Sequence, residues 1–205
     1  MKVLGMYSGT KSWEKPFINN GHEVDTLDIL PQFNCTYTMD ALSFIPRKKY
    51  KVVLASPPCT YFSQVRLAWK NTPKATTPEQ IELSCLWFQK VIDVIQAVEA
   101  EYFLIENPSH KNGARKYFPY FVNPSKWGCP FIIPQRVDYC QYGTPWQKPT
   151  DLWTNIPIDF RRCNHKKGEH KSFQLTHGSK NRSIIPEELT NHVYNVIMRC
   201  IDNDS

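Results

Sequence analysis

Residues 50–59 read Tyr-Lys-Val-Val-Leu-Ala-Ser-Pro-Pro-Cys, an apolar run cut short by two prolines. Tyr50 to Ala55 has the composition of a buried strand, and Pro57 and Pro58, which lack a backbone N–H, cannot extend its ladder. Cys59 therefore stands just beyond a strand end. Downstream, Thr77-Pro78-Glu79-Gln80 marks a helix start, with a capping threonine, a proline at the first helical position and a glutamine placed to close a capping box. Ile81, Cys85, Phe88, Val91, Ile92, Ile95 and Val98 recur at helical spacing, which predicts one helix running to about Ala100. Tyr102 to Ile105 is another apolar run, expected to break at Glu106-Asn107-Pro108. Strand, helix and strand form a βαβ unit whose crossover exceeds the roughly one dozen residues that parallel strands require.

Working outward, Met1 to Tyr7 reads as a strand feeding the turn Ser8-Gly9-Thr10 and a short helix through Trp13 and Phe17, and Glu23 to Ile29 reads as a second strand. The pattern predicts an α/β fold with a mostly parallel central sheet. Ligands collect at the carboxyl ends of such strands, and Gly9, Asp28, Cys59 and Glu106 all fall at or near one. Beyond Pro108 the chain is irregular, with strand candidates at Phe131 to Ile133 and Val137 to Tyr142, and a polar basic loop from Arg161 to Lys171. A final helix is expected from near Pro186-Glu187-Glu188, continuing through Val193 and Ile197. Neither repeats nor a linker interrupt the 205 residues, so a single domain, 1–205, is expected.

The net charge of +6 favours an anionic partner such as nucleic acid, although a solvated basic surface explains the charge equally well. The seven cysteines show no scaffold spacing, which points to a reducing, cytoplasmic setting. No run approaches the ~20 apolar residues of a membrane span.

A cysteine held on a stiff Pro-Pro turn suits a nucleophile that must meet a substrate atom accurately, whereas the ordinary role of a cysteine is a small buried hydrophobe. Glu106 ends an apolar strand, where loss of water helps a carboxyl retain a proton to donate; the alternative is a cap for backbone N–H groups near Asn107. Together the two sites place a sulfur and a carboxyl on neighbouring strand ends.

Tyr7-Ser8-Gly9-Thr10, Ser56-Pro57-Pro58-Cys59, Ile105-Glu106-Asn107 and Gln135-Arg136, in that order, resemble the motif series of DNA cytosine-5 methyltransferases. Tyr139 to Gly143, Lys148 to Asn155 and Arg182 to Leu189 look like its small phage and viral branch. The resemblance implies a Rossmann-like fold that binds S-adenosyl-L-methionine. It implies catalysis by Cys59 as the nucleophile at cytosine C6, Glu106 at ring N3 and the exocyclic amine, and Arg136 at the pyrimidine oxygen. It also implies a cofactor site of Tyr7, Ser8, Gly9, Thr10, Asp28 on the ribose, Asp40 on the adenine amine, and Ser183 with Ile184 as a cover. The sequence departs from the family at Lys11, where a glycine-rich loop would continue, at Pro108, and at Val137-Asp138, where a second arginine is missing.

Only residues 156–177 separate the Gln-Arg region from the last motif, so a target-recognition region is reduced or absent. The implied substrate is DNA, single- or double-stranded, with a free cytosine nucleotide or a catalytically silent nucleic-acid-binding role as the alternatives. Trp146, Trp153 and the Arg161 to Lys171 run are candidates for base stacking and phosphate contacts. Cys163, His165 and His170, joined by Cys140 or Cys129, are zinc-binding residue types without the spacing of a standard finger, and an incidental polar loop is the ordinary reading.

Overall fold

The structure is a computed structural model describing residues 1–62, 75–166, 168–170 and 184–203. In chain order its elements are β1 (Lys2–Met6), α1 (Lys15–Asn19), β2 (Glu23–Asp28), β3 (Tyr37–Thr38), β4 (Val52–Ala55), α2 (Pro78–Val98) and β5 (Tyr102–Pro108). There follow α3 (Ala114–Tyr117), β6 (Phe121–Val122), β7 (Phe131–Ile132), β8 (Gln135–Asp138), β9 (Pro149–Thr154) and α4 (Glu187–Asn203). The main sheet runs β3-β2-β1-β4-β5-β9-β8. Neighbouring strands from β3 to β5 pair in parallel, and β9 pairs antiparallel with both β5 and β8.

The central strands are apolar on both faces because both faces are covered. On one face α2 packs Phe88, Val91 and Ile95 against Leu4, Val53, Phe103 and Ile105. On the other, Trp13, Phe17, Leu189, Val193 and Ile197 cover Val3, Leu54, Leu104 and Leu152. Strand order reverses between β1 and β4, since the chain turns from β1 to β2 on one side and returns to β4 on the other. At such a reversal the loops leaving the two strands diverge and open a crevice.

The expected α/β fold with a mostly parallel sheet is observed, with local differences. β5 does not break at Glu106 but continues to Pro108, because β9 lies alongside and pairs through Thr150. Val137 to Tyr142 is not one strand: β8 ends at Asp138 and residues 139–142 wind into a 3-10 turn closed by Gly143, whose φ of 88° a side chain would resist. β9 was not expected at all. Trp153, a candidate for base stacking, is instead wholly buried, with its Nε1 donating to the Phe118 carbonyl at 2.9 Å. No helix of the described residues is long and apolar enough to cross a membrane.

The start of α2 follows the sequence closely: Gln80 N donates to Thr77 Oγ1 at 3.3 Å and Thr77 N donates to Gln80 Oε1 at 3.1 Å. Thr77→Ala removes half of this reciprocal cap and is expected to lower stability by about 1 kcal/mol. The measurement is a urea titration, in which the midpoint falls at unchanged slope. An unmoved midpoint rejects the cap as the feature that starts the helix.

Candidate active site

A cavity of about 510 Å³ opens at the strand-order reversal, within the range of small-molecule sites. Its walls come from the loop after β1, the Pro-Pro-Cys turn after β4, the end of β5 and the residues leading into β9. Tyr7, Ser8, Gly9 and Thr10 line one side, Cys59 and Glu106 the other, and Lys148 and Ile185 complete it. The sulfur and the carboxyl read from the sequence therefore share one cavity.

The loop after β1 reproduces a glycine-rich path with few glycines. Tyr7, Gly9 and Lys11 all take left-handed backbone angles, with φ of 55°, 46° and 57°. For Tyr7 and Lys11 this is strained, and tertiary contacts must hold it. Asp28 Oδ2 accepts from Gly9 N at 2.9 Å, Lys11 N donates to the Ser8 carbonyl at 2.7 Å, and Lys11 Nζ donates to the Asn34 carbonyl at 2.8 Å. Asp28 is thus the anchor of the loop, with its other oxygen accepting from Leu30 N. It does not line the cavity, and neither does Asp40, whose Oδ1 accepts from Leu42 N at the start of a 3-10 turn. Ile184 is exposed while its neighbour Ile185 forms part of the wall; Ser183 lies outside the described residues.

Cys59 is fixed by its surroundings. Phe62 N donates to the Cys59 carbonyl, and the buried amide of Asn107 donates from Nδ2 to the Pro57 carbonyl at 3.1 Å, tying the Pro-Pro turn to β5. Glu106, 8% exposed, accepts at Oε1 from the Tyr139 hydroxyl at 3.4 Å and has Lys148 Nζ 3.8 Å away. The lysine also sits 4.8 Å from the centroid of the Tyr139 ring. Burial, together with the Glu106 carboxylate, pushes the Cys59 thiol up to about 11, while Lys148 pulls it the other way.

The structure does not bring Arg136 into this cavity. Its guanidinium turns to the buried Asp138, two residues along the same strand face, with NH2 donating to Oδ1 at 2.9 Å. It lines a separate depression with Arg115 and Arg162. The cation that the structure places beside Cys59 and Glu106 is Lys148, to which sequence reasoning assigned no role beyond membership of the Lys148 to Asn155 resemblance.

Glu14 is a further residue that sequence reasoning passed over. It lines the cavity at 2% exposure and sits so close to β1 that a Cβ on Gly5 would fall 1.8 Å from its Oε1. Burial raises its carboxyl from 4.5 to about 7. Trp13 Nε1 and Ser56 Oγ, also on the wall, are buried with no hydrogen-bond partner among the described residues. Unpartnered buried polar groups facing a cavity mark a place for a polar ligand.

No protein-family model matches the chain. A protein of Frog virus 3 (isolate Goorha), named "Probable DNA (cytosine-5)-methyltransferase", is 29% identical over 167 residues, which cover 76% of this chain and 71% of the relative. Among solved structures, an E. coli protein described as a "putative DNA modification methyltransferase encoded within prophage" aligns with a TM-score of 0.50 at 14% identity. That alignment covers 75% of this chain but 46% of the other, so the chain spans about half the length of that relative. The Entamoeba histolytica methyltransferase EhMeth aligns with a TM-score of 0.47 at 12% identity, over 81% of this chain and 57% of the other. The sequence likeness to a viral relative agrees with the motif series, and the prophage structure shares the fold.

Two outcomes follow from these charges. Alkylation of Cys59 by iodoacetamide, followed by peptide mass spectrometry, should accelerate as pH rises past 9. At pH 8 it should be several-fold faster in Glu106→Gln, which removes the raising carboxylate, and slower in Lys148→Met. The opposite order in the two variants would remove the electrostatic account. For Glu14 the sign is different: its folded value near 7 lies above the unfolded 4.5, so the folded state keeps a proton that the unfolded state has lost. Its contribution is present below about pH 4.5 and is lost as pH rises to 7, up to about 3 kcal/mol. Stability of the wild type should therefore fall relative to Glu14→Gln between pH 5 and 8, and parallel curves would contradict it.

Proposed function

We propose that this DNA (cytosine-5)-methyltransferase-like chain transfers a methyl group from S-adenosyl-L-methionine to C5 of cytosine in DNA, through a covalent bond to Cys59. The single observation that carries this reading is the shared cavity, with Cys59, Glu106 and Lys148 on one side and the strained turn of residues 7–10 on the other. The name of the viral relative supports the choice of cytosine and DNA.

The residues present fit the cofactor. Residues 7–10 and Ile185 line one side of the cavity, and Trp13 Nε1 and Ser56 Oγ are buried groups in need of a polar partner. Each Asp28 oxygen accepts one backbone N–H and so keeps accepting capacity for a ribose hydroxyl. Asp40, outside the cavity lining, would take the adenine amine with Oδ2, and Ile184 beside the wall residue Ile185 would help to cover the cofactor, while the expected role of Ser183 falls outside the described residues. When bound, S-adenosyl-L-methionine supplies an electrophilic methyl group.

The chain's own part is to make C5 a nucleophile. As the Cys59 sulfur bonds to C6 of the ring, the thiol proton passes through cavity water to the Glu106 carboxylate, which delivers it to N3, so that the ring electrons collect at C5. Tyr139 and Lys148, both in contact with Glu106, orient that carboxyl. Once C5 carries the methyl group, water in the cavity takes the C5 proton and the S–C6 bond breaks to give the thiolate, while the N3 proton returns through Glu106 to the sulfur. A thiol whose burial keeps it protonated at neutral pH is held in reserve until a base occupies the cavity, and Lys148 is the cation that favours its ionisation.

In the same reading, residues 1–205 act as one catalytic unit with a reduced recognition region at 156–177, part of which lies outside the described residues. Such a unit grips little flanking DNA and has low sequence selectivity.

The test is transfer of labelled methyl groups to duplex DNA, with single-stranded DNA and dCMP in parallel. Wild type and Cys129→Ser should methylate DNA, whereas Cys59→Ala should fall to background. DNA carrying 5-fluorocytosine, whose C5 has no proton to lose, should trap a covalent complex that maps to Cys59 by mass spectrometry. Undiminished transfer by Cys59→Ala rejects the mechanism, and turnover of dCMP without DNA rejects the substrate.

A further inference from the structure

Away from the cavity, four side chains of metal-binding type meet at one point. Cys140 belongs to the 3-10 turn after β8, and Cys163, His165 and His170 belong to the loop beyond Phe160. One donor atom from each lies within 4.8 Å of all the others. Cys163 Sγ is 3.6 Å from His165 Nδ1 and 3.4 Å from His170 Nε2. In a tetrahedral site with Zn–S near 2.3 Å and Zn–N near 2.0–2.1 Å, sulfur and nitrogen ligands are about 3.6 Å apart along a tetrahedral edge. The two observed separations match that edge.

We propose that Cys140, Cys163, His165 and His170 bind one structural Zn²⁺ ion. Two thiolates with two imidazoles are a soft, borderline ligand set that selects zinc over magnesium or calcium, and four protein ligands leave no open position for catalysis. The surroundings are built to hold the ligands. Buried Asp138 accepts at Oδ2 from Cys163 N at 3.0 Å, and Gln141 Nε2 donates to Asn164 Oδ1 at 2.9 Å, so the loop is pinned to the turn on both sides of the cluster.

The loop has polar contacts but no apolar anchor of its own. Residues 161–170, Arg-Arg-Cys-Asn-His-Lys-Lys-Gly-Glu-His, contain no large apolar side chain to bury; five of the ten carry charge and two more are the ligand histidines. Local pairing contributes little at such a surface, whereas a metal bonded to four side chains fixes the loop outright. The same 3-10 turn carries Tyr139, whose hydroxyl reaches Glu106, so the metal would brace one support of the active site from behind.

The experiment uses the full chain, kept reduced and stripped with a chelator, and titrated with Co²⁺ and then Zn²⁺. Wild type and Cys129→Ser should develop the intense visible bands of tetrahedral cobalt with sulfur-to-metal charge transfer, saturating at one equivalent and displaced by one equivalent of Zn²⁺. Cys163→Ser and His170→Ala should lose them, with far-UV circular dichroism reporting whether each variant folds. Cys140→His exchanges one zinc ligand type for another and should keep one equivalent with weaker charge transfer. Zn²⁺ should also protect Cys140 and Cys163, but not Cys129, from alkylation. Absence of the bands in the wild type, or their persistence in folded Cys163→Ser, overturns the proposal.

Discussion

A buried amide decides where the chemistry can happen. The two prolines that end β4 remove the N–H groups with which a strand would continue its ladder, and the Pro57 carbonyl would be left without a partner beside β5. Asn107 Nδ2 supplies it. An unmet buried carbonyl costs about 1–3 kcal/mol, so this one bond sets the height of the Pro-Pro turn against β5. Glu106 is the residue before Asn107, and Cys59 the second after Pro57. Fixing one pair therefore fixes the other, and the thiol and the carboxyl enter the same cavity without needing to touch.

The charges around that pair work against one another in a useful way. Glu106 and burial hold the Cys59 thiol protonated, while Lys148, attracted to the same carboxylate, draws it back. Lys148 can stay beside Glu106 because the Tyr139 ring lies beneath its ammonium. An arginine in its place would form a planar fork with the carboxylate and compete with a base for both oxygens. A single ammonium at 3.8 Å leaves them accessible.

Much of this was legible because it lies on strands that announce themselves. β1, β4, β5 and α2 have strong apolar periodicity, and Cys59 and Glu106 follow from where those strands stop. β9 was hidden, because Thr150, Asp151 and Thr154 make it read as a loop, and Asp151 and Thr154 are satisfied by partners distant in sequence. Arg115 pairs with Asp151, and Thr154 Oγ1 donates to the Phe103 carbonyl. Once β9 is unseen, Lys148 has no address, since the residue entering that strand is what reaches Glu106. Arg136 is a different case. Residues two apart on a strand share a face, so Arg136-Val137-Asp138 already contained the ion pair that takes the guanidinium away from the cavity. The resemblance to a family supplied a role for Arg136 that the local pattern did not support.

The antiparallel pair β8–β9 therefore carries more of the function than the parallel core suggests. One end of the pair brings Lys148 to the cavity and the Tyr139 hydroxyl to Glu106, and the turn between them holds Cys140 and its neighbours. Asp138 stands where the two tasks meet: buried, it accepts from Arg136, from Arg162 and from the backbone of Cys163. A carboxylate so enclosed is tolerable only because several donors surround it, and they also keep its proton affinity below the usual carboxylate range. It fixes where the chain leaves β8, and thus the angle at which Tyr139 approaches Glu106. The position of the Glu106 carboxyl is thereby set rigidly, by a strand pair and by the loop fastened to it.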